Sequence, residues 1–481
     1  MKMNGKMAPM LTAFTAVLLL TAMPGLSQES EDSAETAIPS VRVLNVEEAL
    51  RLALESNLGI QSQEIDVAQK KLVRDSWWNR FYPEVSARAS LGRMNEEQST
   101  SGLAPVGAPD PTTGAFDSVA PFSEELPQWN LSTSLDISLT LTPALAPGIS
   151  LAGLDLGASR VELEKRKAEI ERDVQKSFYE LLLTEEQVEL TRERIRTAER
   201  RLEQTRLNYE AGLADEFTVL SARVDVSNLR PQLTQLQNGY QQAMMSFKTE
   251  IGVPLDEQVQ LTGSIEPPAG VDRIREAIGS IDDGMLYGRF DIQGLEQQAA
   301  ILEEQRRLNV YQSLPSLTLG FNVDPTFQGD PWEDSWVDGD LWEQRNGMFS
   351  ISVAQPIHPW FPRSESRNEI KGVERQLTQN RLNLDQALTG AEIEVRSHIS
   401  SIESSLESIE ALELNVELAE RAYDLADQAY ENGLRDLTEV EQAEVDLQDA
   451  RLQLIQEQQR VLASLLDLEY ALNTTMEEFL Q

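Results

Sequence analysis

Residues 174–213 read VQKSFYELLLTEEQVELTRERIRTAERRLEQTRLNYEAGL, and residues 395–434 read VRSHISSIESSLESIEALELNVELAERAYDLADQAYENGL. In the first stretch Val174, Leu181, Val188, Ile195, Leu202 and Tyr209 stand seven apart. In the second, Val395, Ile402, Ile409, Val416, Tyr423 and Tyr430 repeat that spacing, each 221 positions after its counterpart. An apolar residue every seven positions predicts long helices packed lengthwise, knobs into holes. Both stretches close on Tyr-Glu-x-Gly-Leu, and the offset persists downstream, where Ala222, Val224, Asp225 and Arg230 meet Ala443, Val445, Asp446 and Arg451. The chain is therefore a duplicated unit, and the duplication sets its architecture.

An earlier pairing runs at an offset of 232. Phe81-Tyr-Pro-Glu-Val85 matches Ser313-Leu-Pro-Ser-Leu317, and Ile60, Gln61 and Ala68 match Ile292, Gln293 and Ala300. Each half reads as helix, strand, strand, long helix, turn, helix. The first repeat spans 45–265. Its opening helix starts at Asn45, which can cap with Glu48 three residues on, breaks near Asn57-Leu58-Gly59 and resumes to about Arg80. Strands follow at about 84–92 and 130–142, then a long helix at about 159–210 and another at about 215–250. The second repeat spans 266–475, with helices at about 271–278 and 289–313, strands at about 316–324 and 348–355, and helices at about 366–431 and 436–473. Residues 28–44 form an N-terminal segment and 476–481 a tail. Residues 1–27 read as a secretory signal: Lys2 and Lys6 precede the apolar run Met10–Ala22, which is too short to cross a membrane as a helix.

The strands carry a second message. Leu131-Ser-Thr-Ser-Leu-Asp-Ile-Ser-Leu-Thr-Leu-Thr142 alternates apolar with small polar residues throughout, as a half-exposed strand does. Val85, Ala87, Ala89 and Leu91 alternate in the same way, as do Leu317, Leu319, Phe321 and Val323, and Phe349, Ile351 and Val353. No neighbouring segment is free to cover the apolar face, since the long helices carry their own seams. Trp77, Trp78, Phe81, Tyr82, Trp129, Trp360 and Phe361 cluster at strand ends, where a membrane–water boundary would hold them. The pattern points to a membrane-spanning barrel, apolar outside and polar inside. Four strands cannot enclose a lumen; membrane barrels need about eight or more. The barrel must then be shared between chains: two copies would give eight strands, with an interior filled by side chains, and three would give twelve, which could leave a passage. The strand connections 93–128 and 325–346 fall at the far end of the barrel. The acidic stretch 329–340 lacks the spacing of a calcium loop and reads as a solvated surface loop.

Composition narrows the function. Of 481 residues, 80 are Asp or Glu and 41 are Lys or Arg, a formal net charge of −39. Such a charge repels phosphate backbones and argues against nucleic acid as a partner. The absence of cysteine removes disulfides, thiolate metal sites and lipidated cysteine, and two histidines, His358 and His398, leave no material for a triad or a histidine-based zinc site. No catalytic set, metal site or cofactor motif is legible, so an enzyme is not expected.

These features resemble the outer membrane efflux protein family, the TolC-like channels. The resemblance covers about 41–475 and rests on the duplicated plan, the opening Glu48-Ala-Leu-Arg-Leu-Ala-Leu-Glu-Ser-Asn57, the two Gly-Leu turns and the Leu-Pro-Ser-Leu entry to the third strand. It implies a homotrimer with a 12-stranded outer-membrane β-barrel, in contact with outer-membrane lipid. A long periplasmic α-helical barrel continues it. It implies an exit duct docked, through a periplasmic adaptor, onto an inner-membrane pump, in a tripartite efflux or type I secretion system. It further implies a constriction just past the second turn, with Glu439 at an acidic position, Gln442 at the next and Glu441 beside it, and with Arg435 as a basic residue that helps hold the tip closed. The turns, Gly212, Leu213, Asp215 and Gly433, Leu434, Asp436, would meet the adaptor. Two departures stand out: no cysteine is available for lipidation, and the glycine-rich stretch after the second strand is reduced to Pro147-Gly-Ile-Ser-Leu-Ala-Gly153. The residues alone leave open a structural coiled-coil protein that tethers the envelope without a conducting pore.

Overall fold

The computed structural model describes residues 42–95, 98–106, 118–126, 128–265, 283–328, 347–432 and 434–474. The expected signal segment, the helix at 271–278, the acidic loop, the tail and Gly433 lie outside them. The fold is mostly helical, with a small β part.

In the first repeat, β1 (Arg42–Leu44) leads into α1 (Val46–Ser56) and α2 (Leu58–Ser76). The capping box forms: Glu48 N–H donates to the Asn45 side chain at 2.8 Å. Asn57 ends α1 and caps α2, accepting from Gly59 N–H at 2.8 Å. A 3₁₀ turn (Trp77–Phe81), where the helix was expected to run on to Arg80, leads to β2 (Glu84–Arg93). Then come β3 (Gln98–Val106), β4 (Ser118–Leu126), β5 (Trp129–Leu141), α3 (Leu145–Glu210), α4 (Glu216–Glu250) and β6 (Val259–Leu261). The second repeat supplies α5 (Phe290–Tyr311), β7 (Ser316–Val323), β8 (Thr326–Gln328), β9 (Gly347–Ala354), α6 (Glu365–Glu431) and α7 (Leu437–Leu472).

Three further features depart from the sequence expectation. First, α3 begins at Leu145, ahead of the expected start near 159. Pro147 sits in its first turn, where its missing N–H loses no intrahelical partner and proline is tolerated, and Gly148 N–H then donates to Ala144 C=O at 3.1 Å. Gly148 is required there: a Cβ would come within 2.4 Å of the Trp77 ring. Second, the connection 93–128 contains an antiparallel hairpin, β3 with β4, whose Ser-, Gly- and Pro-containing strands have no period-two signal. Third, β1 pairs in parallel with β6, Val43 opposite Gln260.

At 66 and 67 residues, α3 and α6 are each about 100 Å long at 1.5 Å per residue. The heptad positions Val174, Leu181, Val188 and Ile195, and Val395, Ile402 and Ile409, are buried, whereas Tyr209 is exposed. Burial falls toward the turn in both repeats. The core lies far from the turns. In the first repeat α1 sets Ala49 and Ala53 against Val174, Phe178 and Phe247. In the second, Ile402, Leu406, Val461 and Leu468 form the counterpart. Helices α5 and α7 of the second repeat both pack on α3, and the α3–α7 contact forms a seam between the two repeats.

Candidate functional site

The far end of the helices is built by two turns. Gly212 has φ of 75°, a left-handed conformation that glycine adopts without strain, and it closes α3 while Leu213 N–H donates to Asn208 C=O at 2.8 Å. Asp215 then caps α4, accepting from Thr218 N–H at 2.9 Å. The Thr218 hydroxyl and N–H bonds hold its carboxyl below the usual range. In the second repeat Leu434 N–H donates to Ala429 C=O at 2.8 Å, and Asp436 precedes α7 without a side-chain cap. Leu213 and Leu434 are the most exposed large apolar residues described, at 80% and 79%.

The two hairpins share a frame. Arg230 pairs with Glu199 at 2.8 Å, and Arg451 pairs with Glu420 at 2.9 Å, the same contact at the repeat offset. Their tips have diverged. Phe217 and Leu220, both exposed on α4, stand where α7 carries Thr438 and Glu441. Arg435 and Glu439, one turn apart, form an ion pair at 2.7 Å. Gln442 turns instead to Asp446, donating at 2.7 Å.

The seam between repeats is charged. Basic groups on α3 face acidic groups on α7: Lys176 meets Asp467 at 2.9 Å, and nearer the tip Arg201 pairs with Glu444. Tyr470 donates to Glu169 at 3.1 Å and lies under the Arg172 guanidinium. Burial, then the Glu169 carboxylate, pushes the Tyr470 hydroxyl up to about 12. Arg201 and Glu444 were not singled out in the sequence, because their contact spans both repeats. Glu444 did leave one signal: it occupies the position that Arg223 holds in the first repeat.

Glu441 faces this seam, not Glu439. Burial raises its carboxyl above the ordinary 4.5, Arg201 opposes the rise, and Asp225 and Glu444 add to it. A raised folded value means that ionisation costs stability: the cost is absent below about pH 4.5 and grows as pH rises through the folded value. Glu441→Gln is therefore expected to raise the apparent melting temperature at pH 7, with the gap closing as pH falls toward 4.5. A lower melting temperature for the variant at pH 7 would refute this.

At the other end, β2-β5-β7-β9 form one antiparallel sheet, with β8 on the end of β5. The register aligns every apolar row. Val85, Ile137, Phe321 and Phe349 stand side by side, as do Leu139, Leu319 and Ile351, and Leu141, Leu317 and Val353. The opposite face aligns Glu84, Ser138, Gly320 and Ser350, then Thr140, Thr318 and Ser352. Within the chain, β2 and β9 are the two edges of this sheet. Trp78, Phe81, Tyr82, Trp360 and Phe361 are exposed at the helix end. Trp77 is half-buried between Gly148 and Arg80, whose guanidinium sits 4.1 Å from its ring centre. Trp129 marks the opposite end, beneath Arg93 at 5.5 Å. Among the described residues no group of His, Asp and Glu side chains could hold a metal ion, and no helix is long and apolar enough to cross a membrane.

The model of the outer membrane efflux protein family matches residues 49–253 and 285–474. The fold is similar to solved outer-membrane channels. VceC of Vibrio cholerae is 16% identical over 90% of this chain and 96% of its own, with a TM-score of 0.67. CmeC of Campylobacter jejuni is 15% identical over 89% and 85%, with a TM-score of 0.67. The open state of MtrE from Neisseria gonorrhoeae is 16% identical over 95% and 97%, with a TM-score of 0.64. No curated protein sequence matches the chain.

Proposed function

The chain belongs to the outer membrane efflux protein family, whose channels span the outer membrane and extend into the periplasm, and from that premise we propose that it is the exit duct of a tripartite efflux or type I secretion system. Members of this family are not enzymes, and the proposed role is passage. The observation that carries it is the open sheet: four strands with an apolar face in register and two unpaired edges, joined to helices about 100 Å long. In a ring of three, β9 of one chain lies antiparallel to β2 of the next, which closes twelve strands with none left over. The apolar rows then face lipid, the Ser and Thr rows face water, and the aromatic residues mark both boundaries. Helices α3, α4, α6 and α7 continue the duct through the periplasm. The turns at Gly212–Asp215 and Gly433–Asp436 meet the adaptor, through which cargo arrives from the inner-membrane pump. Charge reversal at Asp215 and Asp436 together is expected to abolish adaptor co-purification; undiminished association would remove the turns from the interface.

Three Glu439 carboxylates, one per chain, line the constriction, and Arg435 neutralises part of their charge. Single-channel recording in a planar bilayer under a salt gradient tests the reading. Steady, cation-preferring steps are expected, with the preference reduced in Glu439→Ala. An unchanged preference would exclude Glu439 from the constriction. Silence from intact trimer, even with Arg435→Ala, would mean a tether and not a duct.

A further inference from the structure

The two repeats are copies, so each helix contact in one has a counterpart in the other, and two counterparts are missing. Helix α7 packs on α6 and on α3, whereas α4, its copy, packs lengthwise on α3 alone among the described residues. Helix α5 packs on α6 and on α3, whereas α2, its copy, packs lengthwise on α3 alone. Since α6 is the copy of α3, both missing contacts call for an α6, and the chain's own α6 makes neither.

The faces left without a partner are apolar. Phe217, Leu220 and Val224 on α4 are 75%, 50% and 54% exposed. Leu58, Ile65 and Leu72, seven apart on α2, are exposed as well. Asn57, at the head of α2, donates to Glu250 C=O at the end of α4 at 3.0 Å, so the two helices lie end to end along one edge of the chain. On α6, Leu414, Leu418 and Leu425 are exposed in turn.

The α3–α7 seam inside the chain is the template for the missing one. Arg194, Ala198 and Arg201 line one side of it, and Thr438, Glu441 and Val445 the other. At the repeat offset of 221 the first side becomes Asn415, Ala419 and Ala422 on α6, and the second becomes Phe217, Leu220 and Val224 on α4. Both sides have changed together. One seam sets arginines opposite carboxylates, and the other sets alanines opposite large apolar side chains, which bury their area where a small neighbour leaves room. The flanking charges change in the same sense. Asp225 and Glu444, alike in sign, line the inner seam, and their counterparts Asp446 and Arg223 are opposite in sign.

We propose that α2 and α4 of one chain dock on α6 of a second copy, through an apolar seam that is the counterpart of the charged seam within the chain. On the reading that the chain works as a ring of three, charged seams within chains then alternate with apolar seams between them around the helical body.

The absence of cysteine makes crosslinking specific. Full-length Val224→Cys/Ala419→Cys, treated in detergent with a short bismaleimide, is expected to run as covalent dimer and trimer on denaturing gels. Ala198→Cys/Val445→Cys, the same two positions in the other seam, is expected to run as a single chain. A second measurement transplants the inner seam. Leu220→Glu puts the α7 residue into α4 at a position exposed in the single chain, so the chain's own fold is spared. It should cut the yield of heat-resistant trimer about tenfold, because the carboxylate is buried on assembly without a partner. Leu220→Glu/Ala422→Arg, which supplies the guanidinium, should recover most of the loss. Only single chains from Val224→Cys/Ala419→Cys, in a protein that is trimeric by light scattering and conducts, would overturn the seam and leave the duct standing. So would Leu220→Glu that yields as much trimer as the wild type. An unsubstituted protein that is monomeric would overturn the ring and the seam together.

Discussion

Ile351→Lys is expected to abolish assembly in the outer membrane, whereas Ser350→Lys, one residue away, is expected to assemble. Ile351 is 62% exposed in the single chain and stands in the apolar row with Leu139 and Leu319. If that row faces lipid, a lysine near the bilayer midplane costs about 2–4 kcal/mol. A trimer places three such lysines in one barrel, which brings the total close to the whole stability of an ordinary domain. Ser350 stands on the other face, opposite Gly320, where a lysine would project into water. It should change conductance and selectivity without preventing insertion. Heat-resistant trimer in membrane fractions is the readout. Equal yields for the two variants would mean that the sheet does not divide lipid from water. Loss of trimer from Ser350→Lys alone would mean that its faces are reversed.

The second large effect lies on the seam. Arg201→Met is expected to destabilise the protein by about 3–5 kcal/mol, because Glu444 would remain buried without its partner. The two side chains retain only 14% and 11% of their exposure, so the carboxylate that loses its guanidinium is left largely desolvated. Arg201→Met/Glu444→Leu should recover most of the loss, since replacing a buried pair with apolar groups of similar volume is often neutral. Because the pair joins α3 to α7, the single variant should also have a less constrained tip and a larger mean conductance. An Arg201→Met trimer that melts with the wild type at pH 7 would show that the seam is held elsewhere, for instance by Lys176 and Asp467.

Some of this was legible because it depends on spacing. The heptads, the Gly-Leu turns and the alternating strands are one-dimensional patterns, and the backbone converts each directly into a helix, a turn or a strand. The early start of α3 leaves no clear mark, because Pro147 falls in the first helical turn, where its missing N–H loses no intrahelical bond. The β3–β4 hairpin was missed because strands that bury neither face leave no periodic mark. At the tip, Arg435 and Glu439 sit one turn apart on the same stretch of chain, so their proximity could be read; Arg201 and Glu444 come from different repeats, so theirs could not.

The sequence alone thus determined the duplication, the lengths of the helices and which face of each strand is apolar, since all three follow from the periods of the backbone. Only the tertiary structure decided which charges meet across the repeats. Packing α7 against α3 brings Arg201 to Glu444 and sets Glu441 in the seam beside them. Those contacts depend on the rotation and axial offset of two helices more than 200 residues apart, and no spacing within either helix encodes them.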